Sequence, residues 1–149
     1  KINKPASYKE RVRNCRLITK TQPIKIKEIE IKINSKYSYQ TIKYLNSHYK
    51  NINFIWLMGA DNLINFHKWQ NATKIMREIP IVVFRRYGYN EKALKSYTSN
   101  FYKNFKINEK NIRIESFYKL PAWTIIQNKE IKISSTEIRK QREQLRSKD

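Results

Sequence analysis

Polar and apolar positions along the chain change period several times, and each change marks an element. "PASYKERVRNCRLITK", from Pro5, places Tyr8, Val12, Cys15 and Ile18 on one helical face, and a proline suits a first turn. Pro23 closes that helix. "IKIKEIEIKI" alternates from Ile24 to Ile33, the pattern of a half-buried strand. "YSYQTIKYLNSHYK" returns to a helical period from about Gln40, with Ile42, Leu45 and Tyr49 aligned. "NFIWLMG" and "IPIVVFRR" are continuous apolar runs, predicting strands covered on both faces. Between them a helix is expected from Trp69 to Arg77. "EKALKSYTSNFYKNF" reads as one further helix, "NIRIESF" and "TIIQN" as strands, and "EIKISSTEIRKQREQLR" as a short strand entering a basic helix. Strand and helix alternate, so the expected fold is α/β, with a mostly parallel sheet and helices on both faces. Ligands of such sheets sit beyond the carboxyl ends of the strands.

The 149 residues predict one domain, 1–149, without repeats or a linker. No apolar run is long enough to span a bilayer, and the opening "KINKPASYKER" lacks the apolar centre of a signal peptide. A lone cysteine, Cys15, forms no intramolecular disulfide; its helical position predicts a buried structural thiol and suits a reducing cytoplasm. The net charge of +20 attracts polyanions. Its carriers are mostly lysines scattered among Ile, Asn and Tyr, a composition that AT-rich codons produce unaided. The sequence therefore predicts no specific nucleic-acid partner and no membrane; a basic nucleic-acid-binding module is the competing class.

Two corners offer chemistry. In "MGADNLINFHKW", Gly59 follows a strand and permits a sharp turn or close ligand approach. Asp61 can accept from ribose hydroxyls or simply cap the next helix. Trp69 can stack on a planar ring or fill core, and His67 has no carboxylate beside it to make it an acid or base. In "ISSTEIR", Ser134, Ser135 and Thr136 stand where a strand gives way to a helix, a ready phosphate cradle, and Arg139 can turn back to the same anion. A helix cap accounts for one hydroxyl, not for three and an arginine. Weaker features are Arg85 and Arg86 before a glycine turn in "FRRYGYN", and Thr41 in "YSYQT".

These segments, with "KPASYKERV", resemble in order the bacterial nicotinate-nucleotide adenylyltransferases, which are Rossmann-like nucleotidyltransferases. "ISSTEIR" is the most specific of them. The resemblance implies transfer of AMP from ATP to nicotinate mononucleotide, with Mg²⁺ accompanying the ATP. It implies that Gly59 and Asp61 contact adenosine and its ribose, and that Ser134, Ser135, Thr136 and Arg139 hold the triphosphate. Trp69 then stacks on nicotinate, beside Thr41 and Arg86. Tyr87 replaces the proline of the family's Arg-Pro-Gly turn, so that turn is expected to be less restrained. The family opens with a strand, a Gly-rich turn and His-x-Gly-His; here the only histidines are His48 and His67. A first βαβ portion of roughly 30 residues is thus expected to be absent from this chain, which opens on Lys, leaving no catalytic residue identified and activity impaired. An inactive nucleotide-binding remnant is the corresponding alternative.

Overall fold

The computed structural model describes residues 6–130 and 132. They divide into two compact units, with the boundary between Lys36 and Tyr37.

In the first unit, helix α1 runs Tyr8–Ile18, with Ser7 as N-cap accepting from the Glu10 amide at 3.3 Å. The Ser-x-x-Glu spacing is that of a capping box. Thr19 ends the helix, its amide and hydroxyl both donating to the Cys15 carbonyl at 3.0 and 2.9 Å. Cys15 itself is exposed, not buried as its position suggested, because no residue of α1 is buried. The alternating run 24–33 is not a strand. Its second half forms the short helix α2, Ile29–Lys32, closed by Asn34 at φ 49° and a 2.8 Å bond from Ser35 N to Glu30 O. No neighbouring strand pairs with the run among the described residues, so helical bonds satisfy its backbone locally.

The second unit begins with α3, Ser38–His48. Strand β1, Trp56–Gly59, leads into α4, Ala60–Asn65, a 3₁₀ turn at Phe66–Lys68, and α5, Ala72–Glu78. Strand β2, Ile81–Phe84, is followed by α6, Asn90–Leu94, and α7, Tyr97–Phe101. After α8, Ile114–Phe117, the last described strand is β3, Trp123–Ile126. The sheet order is β1-β2-β3, parallel throughout, with Gly59 level with Phe84 and Phe84 with Ile126. The α/β parallel architecture read from the sequence is the Rossmann-like one observed.

Side chains alternate across β2. Ile81 and Val83 enter the main core with Met58, Leu63, Phe66, Ile75 and Trp123, while Val82 packs with Phe117 and Ala122 on the opposite face. Helices α3 and α5 are tied by Tyr39 Oη donating to Glu78 Oε1 at 3.0 Å and Asn46 Nδ2 to the Glu78 carbonyl at 3.2 Å. That carboxylate holds the Tyr39 phenol above its ordinary pKa, because the hydrogen bond favours the protonated form.

Four further expectations are corrected. β1 is covered on one face only: Leu57, level with Val82, is 59% exposed. The single helix expected from Glu91 is two, because the Ser96 hydroxyl accepts from Ser99 N at 3.2 Å and starts a new helix. "NIRIESF" forms turns and α8 instead of a strand. The edge beside β3 is occupied by Lys106 and Ile107, with Ile107 N donating to Trp123 O at 2.8 Å, and Phe117 is drawn into the second core. The helix predicted from Trp69 begins at Ala72, after Asn71 in the left-handed region at φ 59°.

Phe66 is fully buried and Phe101 is 62% exposed. Denaturant titration is expected to show Phe66→Ala losing roughly 3–5 kcal/mol, and Phe101→Ala shifting stability by no more than about 0.5 kcal/mol.

Candidate active site

Parallel register brings the ends of three strands to one edge. Gly59 leaves β1 there, Arg85 and Arg86 leave β2, and Gln127 and Asn128 leave β3.

The backbone at Gly59 is ordinary extended chain, φ −82° and ψ 159°, so freedom of turning is not why glycine stands there. Room is the reason. A Cβ at this position would collide with Oδ1 of Asp61 and touch the Arg86 side chain. Asp61 does not cap α4; the N-cap is Gly59, and no side chain bonds at that end. Its Oδ2 instead pairs with Arg86 Nη1 at 2.6 Å, while Oδ1 is buried without a hydrogen-bond partner. A buried carboxylate oxygen left unpaired is costly, so it is a natural place for a ligand donor.

Arg86 is fixed from several sides. Its amide donates to Asn90 Oδ1 at 2.8 Å, and its guanidinium lies 5.9 Å from the Tyr89 ring. The turn Arg86–Tyr89 is closed by Tyr89 N to Arg86 O at 3.0 Å, with Gly88 at φ 78°. Glycine with positive φ at the third position is what a type II turn requires, so Gly88 maintains the turn without a proline.

Two asparagines that sequence reasoning missed organise this edge. Asn128 accepts from Arg85 N at 2.7 Å and donates to Arg85 O at 3.2 Å, continuing the β2–β3 ladder with a side chain. Asn90, besides holding Arg86, donates to Glu130 Oε1 at 2.8 Å. Asn90 lies four residues beyond Arg86 and was in principle legible as part of that turn. Asn128 is 43 residues from its partner, and nothing in the local pattern announces it.

Thr41 is 4% exposed in α3, and its Oγ1 has no partner. Inside the helix its amide is committed to the helical pattern, leaving the hydroxyl as its free group. Trp69 is half-buried, tilted against Phe66 at a centroid distance of 5.3 Å; it takes part in the core and keeps some exposure. Neither hydrogen-bonds to the Asp61–Arg86 pair. His67 is exposed and lies 5.3 Å from the Tyr97 ring. Ser134, Ser135, Thr136 and Arg139 lie outside the described residues. No three His, Cys, Asp or Glu side chains cluster as a metal cage among the described residues, and no described helix is long and apolar enough to cross a membrane.

A cytidylyltransferase-like family model matches residues 1–141. The chain belongs to that family. Among relatives of this cytidylyltransferase-like chain, the probable nicotinate-nucleotide adenylyltransferase of Ruegeria sp. (strain TM1040) is 36% identical over 140 residues, covering 94% of the chain and 74% of the relative. The protein of the same name from Rhizobium meliloti (strain 1021) is 31% identical, covering 92% and 73%; that from Brucella suis biovar 1 (strain 1330) is 30% identical, covering 91% and 70%.

Asn128→Ala removes the partner of two backbone groups of Arg85 and is expected to lower unfolding free energy by about 1–3 kcal/mol. Asn128→Asp, which retains an acceptor but no donor, is expected to lose less in the same denaturant titration.

Proposed function

We propose that this chain transfers the adenylyl group of ATP to nicotinate mononucleotide, giving deamido-NAD and pyrophosphate. The observation that carries this reading is the Gly59–Asp61–Arg86 corner at the carboxyl edge of the sheet, where a carboxylate oxygen without a partner adjoins a charged guanidinium. The names carried by the relatives supply the substrates.

In this reading a phosphate oxygen of the mononucleotide attacks the α-phosphorus of ATP in line, and the bond to the β-phosphate oxygen breaks to release pyrophosphate. No enzyme nucleophile is needed; the protein's work is positioning and charge neutralisation. Asp61 Oδ1 accepts from a ribose hydroxyl. Arg86 takes a phosphate oxygen with Nη2 and, as the ligand enters, exchanges its pairing with Asp61. Gly59 leaves space for both. Trp69 offers its free face to the pyridine ring, and Thr41 Oγ1 donates to the pyridine carboxylate. Ser134, Ser135, Thr136 and Arg139 hold the triphosphate. Mg²⁺ would arrive with ATP, and at this corner Asp61 is the carboxylate that would help to hold it. When bound, it neutralises charge on the departing pyrophosphate.

The test is pyrophosphate release from ATP with nicotinate mononucleotide, beside the amide mononucleotide as competitor. Turnover is expected to favour the acid, and Arg86→Ala and Asp61→Asn are each expected to reduce kcat/KM by about 100-fold or more. Absence of pyrophosphate with either mononucleotide, together with absence of ATP binding by calorimetry, would overturn the assignment.

A further inference from the structure

Away from the strand ends, α7 displays aromatic rings that the core does not use. Tyr97 and Phe101 are 63% and 62% exposed and stack on each other at 5.8 Å with an interplanar angle of 18°. The ring series continues on both sides, with His67 at 5.3 Å from Tyr97 and Tyr102 at 4.9 Å from Phe101. Phe105, 44% exposed, follows Tyr102 at 6.3 Å. Beneath them is a cleft of about 180 Å³, lined by Phe66, His67, Thr73, Tyr97, Phe101 and Tyr102. Thr98 also lines it, 97% buried by virtue of its 3% exposure, and its Oγ1 has no hydrogen-bond partner.

Lysines flank the rings. Along the chain Lys68 adjoins His67, Lys92 and Lys95 precede α7, and Lys103 follows it; all are exposed, and none is in an ion pair among the described residues. Glu91 is the acid on this stretch of chain. A row of exposed ring faces is unfavourable in water unless something stacks on it, and unpaired cations beside such a row select an anionic partner. A partner that supplies both planar rings and regularly spaced negative charge is a single-stranded nucleic acid, whose bases stack on aromatic side chains while lysines follow its phosphates. A duplex hides its base faces, and an acidic protein supplies charge without the series of flat rings.

We propose that the His67–Tyr97–Phe101 row and its lysines form a sequence-tolerant binding surface for single-stranded nucleic acid, with the cleft under Tyr97 receiving one base. None of the residues assigned to adenylyl transfer takes part, so this surface stands or falls independently of that activity. The charge that looked diffuse in the sequence here falls, along the chain, beside exposed rings.

The test is fluorescence anisotropy of the full chain with a labelled oligothymidylate of about 12 nucleotides, an abasic strand of equal length and charge, and a duplex. The thymidylate is expected to bind more tightly than either control. Tyr97→Ala and Phe101→Ala are each expected to weaken it by roughly 5- to 100-fold while leaving the salt dependence unchanged. Lys95→Gln and Lys103→Gln are expected to flatten the salt dependence. Tyr97→Leu, which keeps an apolar side chain but no ring, separates stacking from folding, and circular dichroism checks each variant. Equal binding of the abasic strand, preference for the duplex, insensitivity to Tyr97→Leu, or concealment of the rings in a self-associated form seen by light scattering would each overturn the proposal.

Discussion

The backbone of β2 must be satisfied on both sides and its side chains covered on both faces; most of the second unit follows from that constraint. β1 and β3 supply the two ladders, and the four-residue strand sends Ile81 and Val83 into one core and Val82 into the other. A parallel ladder cannot be closed by a tight hairpin, so each connection must carry a crossover long enough to hold helices. Those helices become the covering layers. The constraint also fixes where chemistry can sit, because the three strands must end together and their outgoing chains share one edge.

At that edge the protein has set a charge pair in place of empty space. Arg86 and Asp61 neutralise each other with side-chain exposures of 43% and 25%. A pair so open to water is held by no more than about 1 kcal/mol, little enough for a phosphate to displace. The positioning is done elsewhere, by hydrogen bonds to backbone: Asn90 holds the Arg86 amide and Asn128 both backbone groups of Arg85. The guanidinium is thus free to exchange partners while its Cα stays in place. Gly59 is part of the same economy of space, since any side chain there would displace the carboxylate.

What the sequence made legible follows the range of the interaction. Buried β2 was visible because full coverage leaves a continuous apolar run, and α1 because its helical period is local; its Ser7 cap was not read from the sequence. The failures had long-range causes. Ile24–Ile33 alternates like a strand but has no ladder to join among the described residues, and "NIRIESF" finds its place beside β3 already taken by Ile107. Leu57 belongs to an apolar run, yet its face of the sheet is covered only farther along, over β2 and β3. At the candidate site, Gly59, Asp61 and Arg86 were recognisable as types at a strand end. Their mutual pairing was not, because the ion pair spans 25 residues of chain.

The charge of +20 acquires different meanings at different places on the fold. At the candidate corner Asp61 offsets the charge of Arg86, so attraction of a nucleotide from a distance falls more to cations without acidic partners. Among the described residues Lys68, Lys92, Lys95 and Lys103 are such cations, and along the chain they neighbour the exposed ring residues of α7 and its surroundings. At physiological ionic strength the field of each reaches only about 8 Å, so lysines spread evenly over a surface act singly, while those gathered along a row of rings act on one extended ligand. An AT-rich composition is enough to produce so many lysines; the proposed single-strand surface would give four of them one ligand in common.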